Sequence, residues 1–211
     1  MQSTIEIARE EIVISAEKAL FWPAKKILVI ADAHLGKAAH FRKNGIALPL
    51  AMVQKDLDRL QGLLDTFQPE TVLFLGDLFH SQPNVEWNWF GDWLSRNTHV
   101  TFELVLGNHD RDLQQHEVHK MLQTSTEKEI GPFVFTHEPL EQPHATLYNI
   151  CGHIHPGVRL SGKGGQHLRL PCFWFGEKQG ILPAFGNLTG AVPLKGKAKI
   201  YAIAQNQLFT W

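Results

Sequence analysis

Five short segments hold the side chains of this 211-residue chain that could do polar chemistry together. They are Asp32-Ala33-His34, Gly76-Asp77, Gly107-Asn108-His109-Asp110, His137 and Gly152-His153-Ile154-His155. Residues two apart on an extended chain project to the same side, so Asp32 with His34, and His153 with His155, can each reach one ion. Asp77 offers a carboxylate able to bridge two cations, and Gly76 before it permits a close backbone approach. Asn108 contributes a neutral amide oxygen, and His109 can move a proton near neutral pH. Each segment alone has a plain alternative, because Gly-Asp is ordinary turn chemistry and a lone histidine is more often structural. A histidine directly after a buried run, and two imidazoles in one Gly-His-x-His segment, tilt the balance toward a metal centre. Oxygen and nitrogen donors without cysteine suit Mn²⁺, Fe or Zn²⁺ in a catalytic site, not a closed structural zinc site.

Apolar runs at 27–31, 71–75, 100–106, 133–136 and 147–151 carry these segments to strand ends, where open α/β sheets place their sites. Between the first runs, Val53, Leu57, Leu60, Leu64 and Phe67 predict an amphipathic helix beginning near Pro49 and stopped by Pro69. Val85, Trp89 and Trp93, with Phe90 and Leu94 beside them, predict a second helix packed on the sheet. That reading outweighs an aromatic platform for nucleobases. A polar helix is expected over about 112–122. At the N-terminus, Ile5–Ile14 predicts a short hairpin on a sheet edge and Ala19–Pro23 a packing segment. After residue 129 helical periodicity disappears. Strands are expected at 133–137, 146–151, 167–175, 181–186, 198–204 and 207–211, with a turn at 160–166. The pattern predicts one α/β domain over 1–211, a four-layer α/β/β/α sandwich with residues 1–26 as a strand pair packing on it.

Composition bounds the function classes. A hydrophobic content of 44% supports a sizeable core, and the formal net charge of -1 gives no global push toward nucleic acid or acidic membranes, although a local basic patch is compatible with it. Cys151 and Cys172 sit in apolar contexts without C-x-x-C spacing and read as reduced, buried thiols. No signal-like or membrane-spanning run is visible, so a soluble, cytoplasmic protein is expected.

Taken in order, the five segments resemble the calcineurin-like metallophosphoesterase superfamily over about residues 27–190. Ala31–Lys37, Phe41–Ile46, Thr136–Pro139, Gly152–Pro156 and Leu182–Gly190 are similar to its ligase-associated DNA damage response endonuclease branch. The resemblance implies two divalent ions, Mn²⁺ first, with Fe or Zn²⁺ as alternatives. One would be held by Asp32, His34 and His155, the other by Asn108, His137 and His153, with Asp77 bridging. Two such ions about 4 Å apart can share a hydroxide, lower its pKa and clamp a phosphoryl group for in-line attack. His109 would stay unliganded, facing the substrate, to stabilise charge or protonate the departing oxygen. Lys37, Arg42, Arg111 and Arg159 are candidate phosphate clamps, and His80 either supports the metals or lines the substrate groove.

Two departures matter. Asp77 is followed by Leu78-Phe79-His80-Ser81, without the arginine that protein phosphatases of the superfamily carry there, which argues against that substrate class. Glu138-Pro139 follows His137, where the wider superfamily has Gly-His. The implied function is a phosphodiesterase with nucleic acid as substrate, a DNA-repair-associated nuclease with DNA ligase and helicase neighbours. A small-molecule or nucleotide phosphoester is the alternative, because the chain is nearly neutral. A non-catalytic scaffold of this fold is disfavoured, since His109 and every ligand position are present. The N-terminal hairpin edge and the tryptophans are compatible with a homodimer.

Overall fold

The computed structural model describes residues 1–37, 41–42, 45, 51–80, 83–162 and 164–211, with the side chains of 51–53 and 111 outside that description. The expected helix start near Pro49, the motif residues Lys43, Asn44 and Ile46, and the Arg111 side chain therefore lie outside the described residues.

The first sheet runs in chain order: β1 (Gln2–Ile7), β2 (Glu10–Ser15), β3 (Ala19–Trp22), β4 (Ile27–Ala31), β5 (Thr71–Leu75), β6 (Thr101–Val105) and β7 (Gln123–Ser125). Strands β1 to β4 pair antiparallel and β4 to β7 parallel. The expected N-terminal hairpin thus continues through β3, a fully buried strand, into the core sheet. The second sheet comprises β8 (Lys128–Ile130), β9 (Phe133–Phe135), β10 (Tyr148–Cys151), β11 (Pro156–Ser161), β12 (His167–Phe175), β13 (Gln179–Ile181), β14 (Val192–Pro193), β15 (Lys199–Ala204) and β16 (Gln207–Thr210). Its order is β14-β11-β12-β13-β10-β9-β8, with β15 attached to β12 and β16 to β15.

Alternation along the parallel strands builds the layers. Leu28, Ile30, Val72, Phe74, Phe102 and Leu104 face the helices α1 (Ala51–Phe67) and α2 (Val85–Arg96). Their neighbours Val29, Leu73, Leu75 and Val105 face Phe133, Phe135, Ile150 and Phe173 of the second sheet. The result is the expected α/β sandwich. Among the described residues both long helices cover the outer face of the first sheet, and the outer face of the second carries a small cluster of Val158, Cys172 and Ala202. Both cysteines are free and buried. No helix among the described residues is long and apolar enough to cross a membrane.

Helix α1 buries Leu57, Leu60 and Leu64, and ends where Gln68 turns left-handed (φ 46) just before Pro69. Helix α2 is capped by Asn84, whose Oδ1 accepts the Glu86 N–H at 2.9 Å. Its buried face is Trp87, Phe90, Trp93 and Leu94, while Val85 is 45% exposed and Trp89 only partly buried. The face differs from the expected one because Trp87 stacks on Phe79, ring centres 3.7 Å apart, and sets the rotation of the helix.

Two other expectations are corrected. In place of one helix over 112–122 there are 3₁₀ segments at Asp110–Gln115 and Glu117–Met121, because His116 between them is extended. The strand expected over 181–186 stops at Ile181, since the chain then crosses between sheets: Leu182 N–H donates to Cys151 O and Phe185 N–H to Ala31 O.

Candidate metal centre

The carboxyl ends of β4, β5 and β6 in one sheet and of β9 and β10 in the other converge on one edge of the sandwich. Each strand delivers its polar residues just past its last pair. Five of these residues adopt left-handed backbone conformations: Asp32 (φ 52), His34 (φ 47), Asp77 (φ 47), His153 (φ 66) and His155 (φ 53). Such conformations cost about 1–2 kcal/mol each for a residue with a Cβ, and they cluster where function over-determines the backbone.

Two groups of side chains meet here. Asp32, His34 and His155 form one, Asp77, His137 and His153 the other, with the ligand atoms of each group within 4.8 Å of one another. In the first, the Nε2 atoms of His34 and His155 face each other at 3.3 Å, and Asp32 Oδ1 lies 3.5 Å from His155 Nε2. In the second, His153 Nδ1 is 3.0 Å from His137 Nε2, and Asp77 Oδ1 is 3.4 Å from the same nitrogen. Asp77 joins the groups, for its other oxygen, Oδ2, is 4.0 Å from His34 Nε2. Burial, reinforced by His155, holds His34 neutral by lowering its pKa to about 2, so that contact is not an ion pair.

Surrounding backbone fixes which atoms remain available. His137 Nδ1–H donates to Leu75 O at 3.0 Å, which leaves Nε2 as the lone-pair nitrogen. Asp32 Oδ2 accepts the His153 N–H at 2.9 Å, whereas Oδ1 is buried with no hydrogen-bond partner. Two buried carboxylates, one with an unsatisfied oxygen and the other near a His34 ring that burial holds neutral, would cost several kcal/mol per charge without a cation. The donor set therefore fits divalent ions, and the described residues form two candidate His/Asp metal sites. Gly76 (φ +70) serves this packing directly, as a Cβ there would lie 2.5 Å from His137 Cγ. At Gly152 a Cβ would sit 2.5 Å from Asp32 Oδ2.

Asn108, His109 and His80 stand at the same edge. Asn108 is exposed at the rim, and its Nδ2 donates to Glu138 Oε1 at 2.7 Å, so that its Oδ1 keeps its lone pairs. His109 donates its backbone N–H to Asp77 Oδ1 at 2.9 Å, while its ring is 47% exposed, with Nε2 3.9 Å from Asp77 Oδ2. His80 packs against His34 and His109, its ring centre 5.2 Å from the first and 5.1 Å from the second. Lys37 is close enough for its charge to lower the His34 pKa, and burial lowers its own. Arg42 is held by Glu86, Nη2 to Oε1 at 3.2 Å, and the same buried carboxylate accepts the Gly36 N–H at 2.7 Å. Arg159 stands exposed on β11.

Three residues have supporting roles that the sequence does not show. Glu86 ties the loop after β4 to α2, and only its place in the first turn of a helix hinted at a capping role. Glu138 marked a departure from a motif, yet it orients Asn108. Asp110 joins two loops, accepting from Gly107 N at 2.9 Å and Phe79 N at 3.2 Å; burial raises its pKa to about 6 against the pull of those bonds.

An open edge carrying two His/Asp clusters that share a carboxylate is the arrangement of a metal-dependent phosphoesterase. A family model for calcineurin-like phosphoesterases matches residues 25–160, and the chain belongs to that family. Over 100% of both chains it is 30% identical to the Pseudomonas putida nuclease MPE, whose crystal structure superposes with a TM-score of 0.84. Yfce, a phosphoesterase from E. coli, is 15% identical with a TM-score of 0.43, over 85% of this chain and 88% of that one. Comparison with curated proteins finds no match.

Proposed function

We propose that this metal-dependent phosphoesterase is a binuclear phosphodiesterase that cleaves nucleic acid strands, with Mn²⁺ as its metal. The observation that carries the reading is Asp77, whose two oxygens face the two histidine clusters, Oδ1 toward His137 and Oδ2 toward His34. Asp32, His34 and His155 would hold one ion, and His137, His153 and the amide oxygen of Asn108 the other. Ions held there supply Lewis acidity toward phosphoryl oxygens and lower the pKa of water. His34, held neutral by its burial, and His137, whose Nδ1–H is committed to Leu75 O, would each present an Nε2 lone pair to the ions. His109 stands outside both clusters with its ring toward solvent, placed to protonate the leaving oxygen as the P–O bond breaks. His80 packs against its ring, and Lys37, close to His34, would offer a cationic contact for non-bridging oxygens. The full-length likeness to a nuclease, and motifs similar to the DNA damage response branch, favour a nucleic acid strand over a small ester.

A substrate panel tests this, with metal content measured alongside. Purified protein is assayed with Mn²⁺, Zn²⁺ and Mg²⁺ against a single-stranded oligonucleotide, bis(p-nitrophenyl) phosphate and p-nitrophenyl phosphate. Two metal equivalents with oligonucleotide cleavage in Mn²⁺ are expected. Turnover confined to small esters would overturn the nucleic acid assignment, and one equivalent at full activity would overturn the binuclear one.

A further inference from the structure

The charge of this chain is strongly segregated. Residues 142–211 contain seven Lys or Arg (Arg159, Lys163, Arg169, Lys178, Lys195, Lys197 and Lys199) against a single acid, Glu177, a formal +6. Residues 1–141 carry the compensating -7, which is why the total of -1 conceals the basic region. Within that region the β11–β12 hairpin grows directly out of a candidate metal ligand, because β11 begins at Pro156, immediately after His155. Its base is pinned where Val192 N–H donates to His155 O at 2.8 Å and β14 pairs with Pro156 and Gly157.

Arg159 and Arg169 face each other across this hairpin as register partners. Both are exposed, and neither has a hydrogen bond or ion pair among the described residues. Like charges directly opposite on a strand pair destabilise it, so the pairing calls for an anion from outside. The two arginines share a face with Ser161 and His167, whose side chains meet at 3.1 Å. Further along β12 the same face presents Phe173 and Phe175 to the first sheet, so by alternation the arginines lie on the face of the hairpin that continues this inner surface. Arg159 is four positions along the chain from His155, at most about 13 Å at roughly 3.3 Å per residue of strand. That span corresponds to about four nucleotides of a stacked DNA strand at about 3.4 Å each.

We infer that the β11–β12 hairpin is a backbone clamp, in which Arg159 and Arg169 together grip phosphates of the substrate strand several nucleotides from the scissile one. The clamp rests on the nuclease reading and deepens it: it supplies affinity for a polyanion that the whole-chain charge does not suggest, and a small diester cannot reach both it and the metals. An acidic polypeptide lacks the regular phosphate spacing the pair would engage.

The test compares wild type with Arg159→Ala/Arg169→Ala, Arg159→Glu/Arg169→Glu and Arg159→Lys/Arg169→Lys in the metal-loaded protein. Binding of a 20-nucleotide single strand is measured as a function of salt, and turnover of that strand is set beside turnover of bis(p-nitrophenyl) phosphate. Loss of two phosphate contacts should weaken oligonucleotide binding about tenfold and flatten the log Kd against log salt slope by about 1.4. The Glu pair should lose more and the Lys pair retain the slope, while the effect on the small diester stays at least fivefold smaller than that on the strand. An unchanged slope in the Ala and Glu pairs, or equal losses on both substrates, overturns the clamp while the nuclease assignment stands. Polyglutamate competing as well as unlabelled oligonucleotide also overturns it. Absence of strand cleavage by wild type, with the small diester still turned over, removes the nuclease reading and the clamp with it.

Discussion

Replacing Gly76 by alanine puts the packing of the metal centre under direct strain. The residue sits at φ +70, and a methyl group there would lie 2.5 Å from His137 Cγ and 2.8 Å from His137 Cβ. Three costs combine. The left-handed backbone costs about 1–2 kcal/mol once a Cβ is present. Overpacking against a fully enclosed ring costs about 1–3 kcal/mol. Displacing that ring breaks the His137 Nδ1–H bond to Leu75 O, worth about 1 kcal/mol. The sum, about 3–6 kcal/mol, is a large share of the 5–15 kcal/mol that typically holds a domain together. Urea unfolding of the metal-free protein reads it. Gly165→Ala is the matched control, because Gly165 has a similar φ of +77 but no described atom within 4 Å of its would-be Cβ, so it isolates the backbone cost. Metal content after desalting should fall from two equivalents toward one in Gly76→Ala and stay at two in the control. A Gly76→Ala protein no less stable than the control, with both metals retained, would show that the His137 ring does not pack against Gly76.

Three further outcomes are expected. His109→Ala should lower kcat about 10²- to 10⁴-fold with metal content unchanged, since its ring belongs to neither cluster; a drop in bound metal would make it a ligand instead. Glu138→Ala should release the Asn108 amide and weaken binding of one metal about 10- to 100-fold in competition with a chelator, whereas Glu138→Gln, whose amide oxygen can accept the same bond, should keep most of the affinity; equal losses would point to charge in place of orientation. Burial first, then Arg59, lowers the Lys18 pKa from 10.5 to about 8, so the folded state disfavours the charged form and this residue contributes stability that rises from about pH 8 to about pH 10.5 and is lost on going down through 8. Lys18→Met should remove that rise and be more stable at pH 7 by up to about 3 kcal/mol, read as the difference between urea melts at pH 7 and pH 10.

Much of the site was legible because its signal is local. A buried strand followed by Asp-x-His, Gly-Asp, Asn-His or His-x-His announces a sheet edge and a metal-compatible donor set together, and α1 with its Leu57, Leu60 and Leu64 stripe follows the same local logic. Elements whose form depends on distant partners were misjudged. The face of α2 turns on Trp87 meeting Phe79, and residues 182–186 do not extend β13 because they cross to pair with Ala31.

From its sequence alone this chain determined its strands, one apolar helix face and the identity of the donor atoms, all of which depend on neighbours within a few residues. Only the tertiary structure decided that Asp77 looks both ways, that Glu138 holds Asn108, that Glu86 engages Arg42, and that Arg159 and Arg169 stand opposite each other. Those relations join positions from 10 to 60 residues apart. Which carboxylate meets which partner depends on strand register and loop packing, and no local pattern records either.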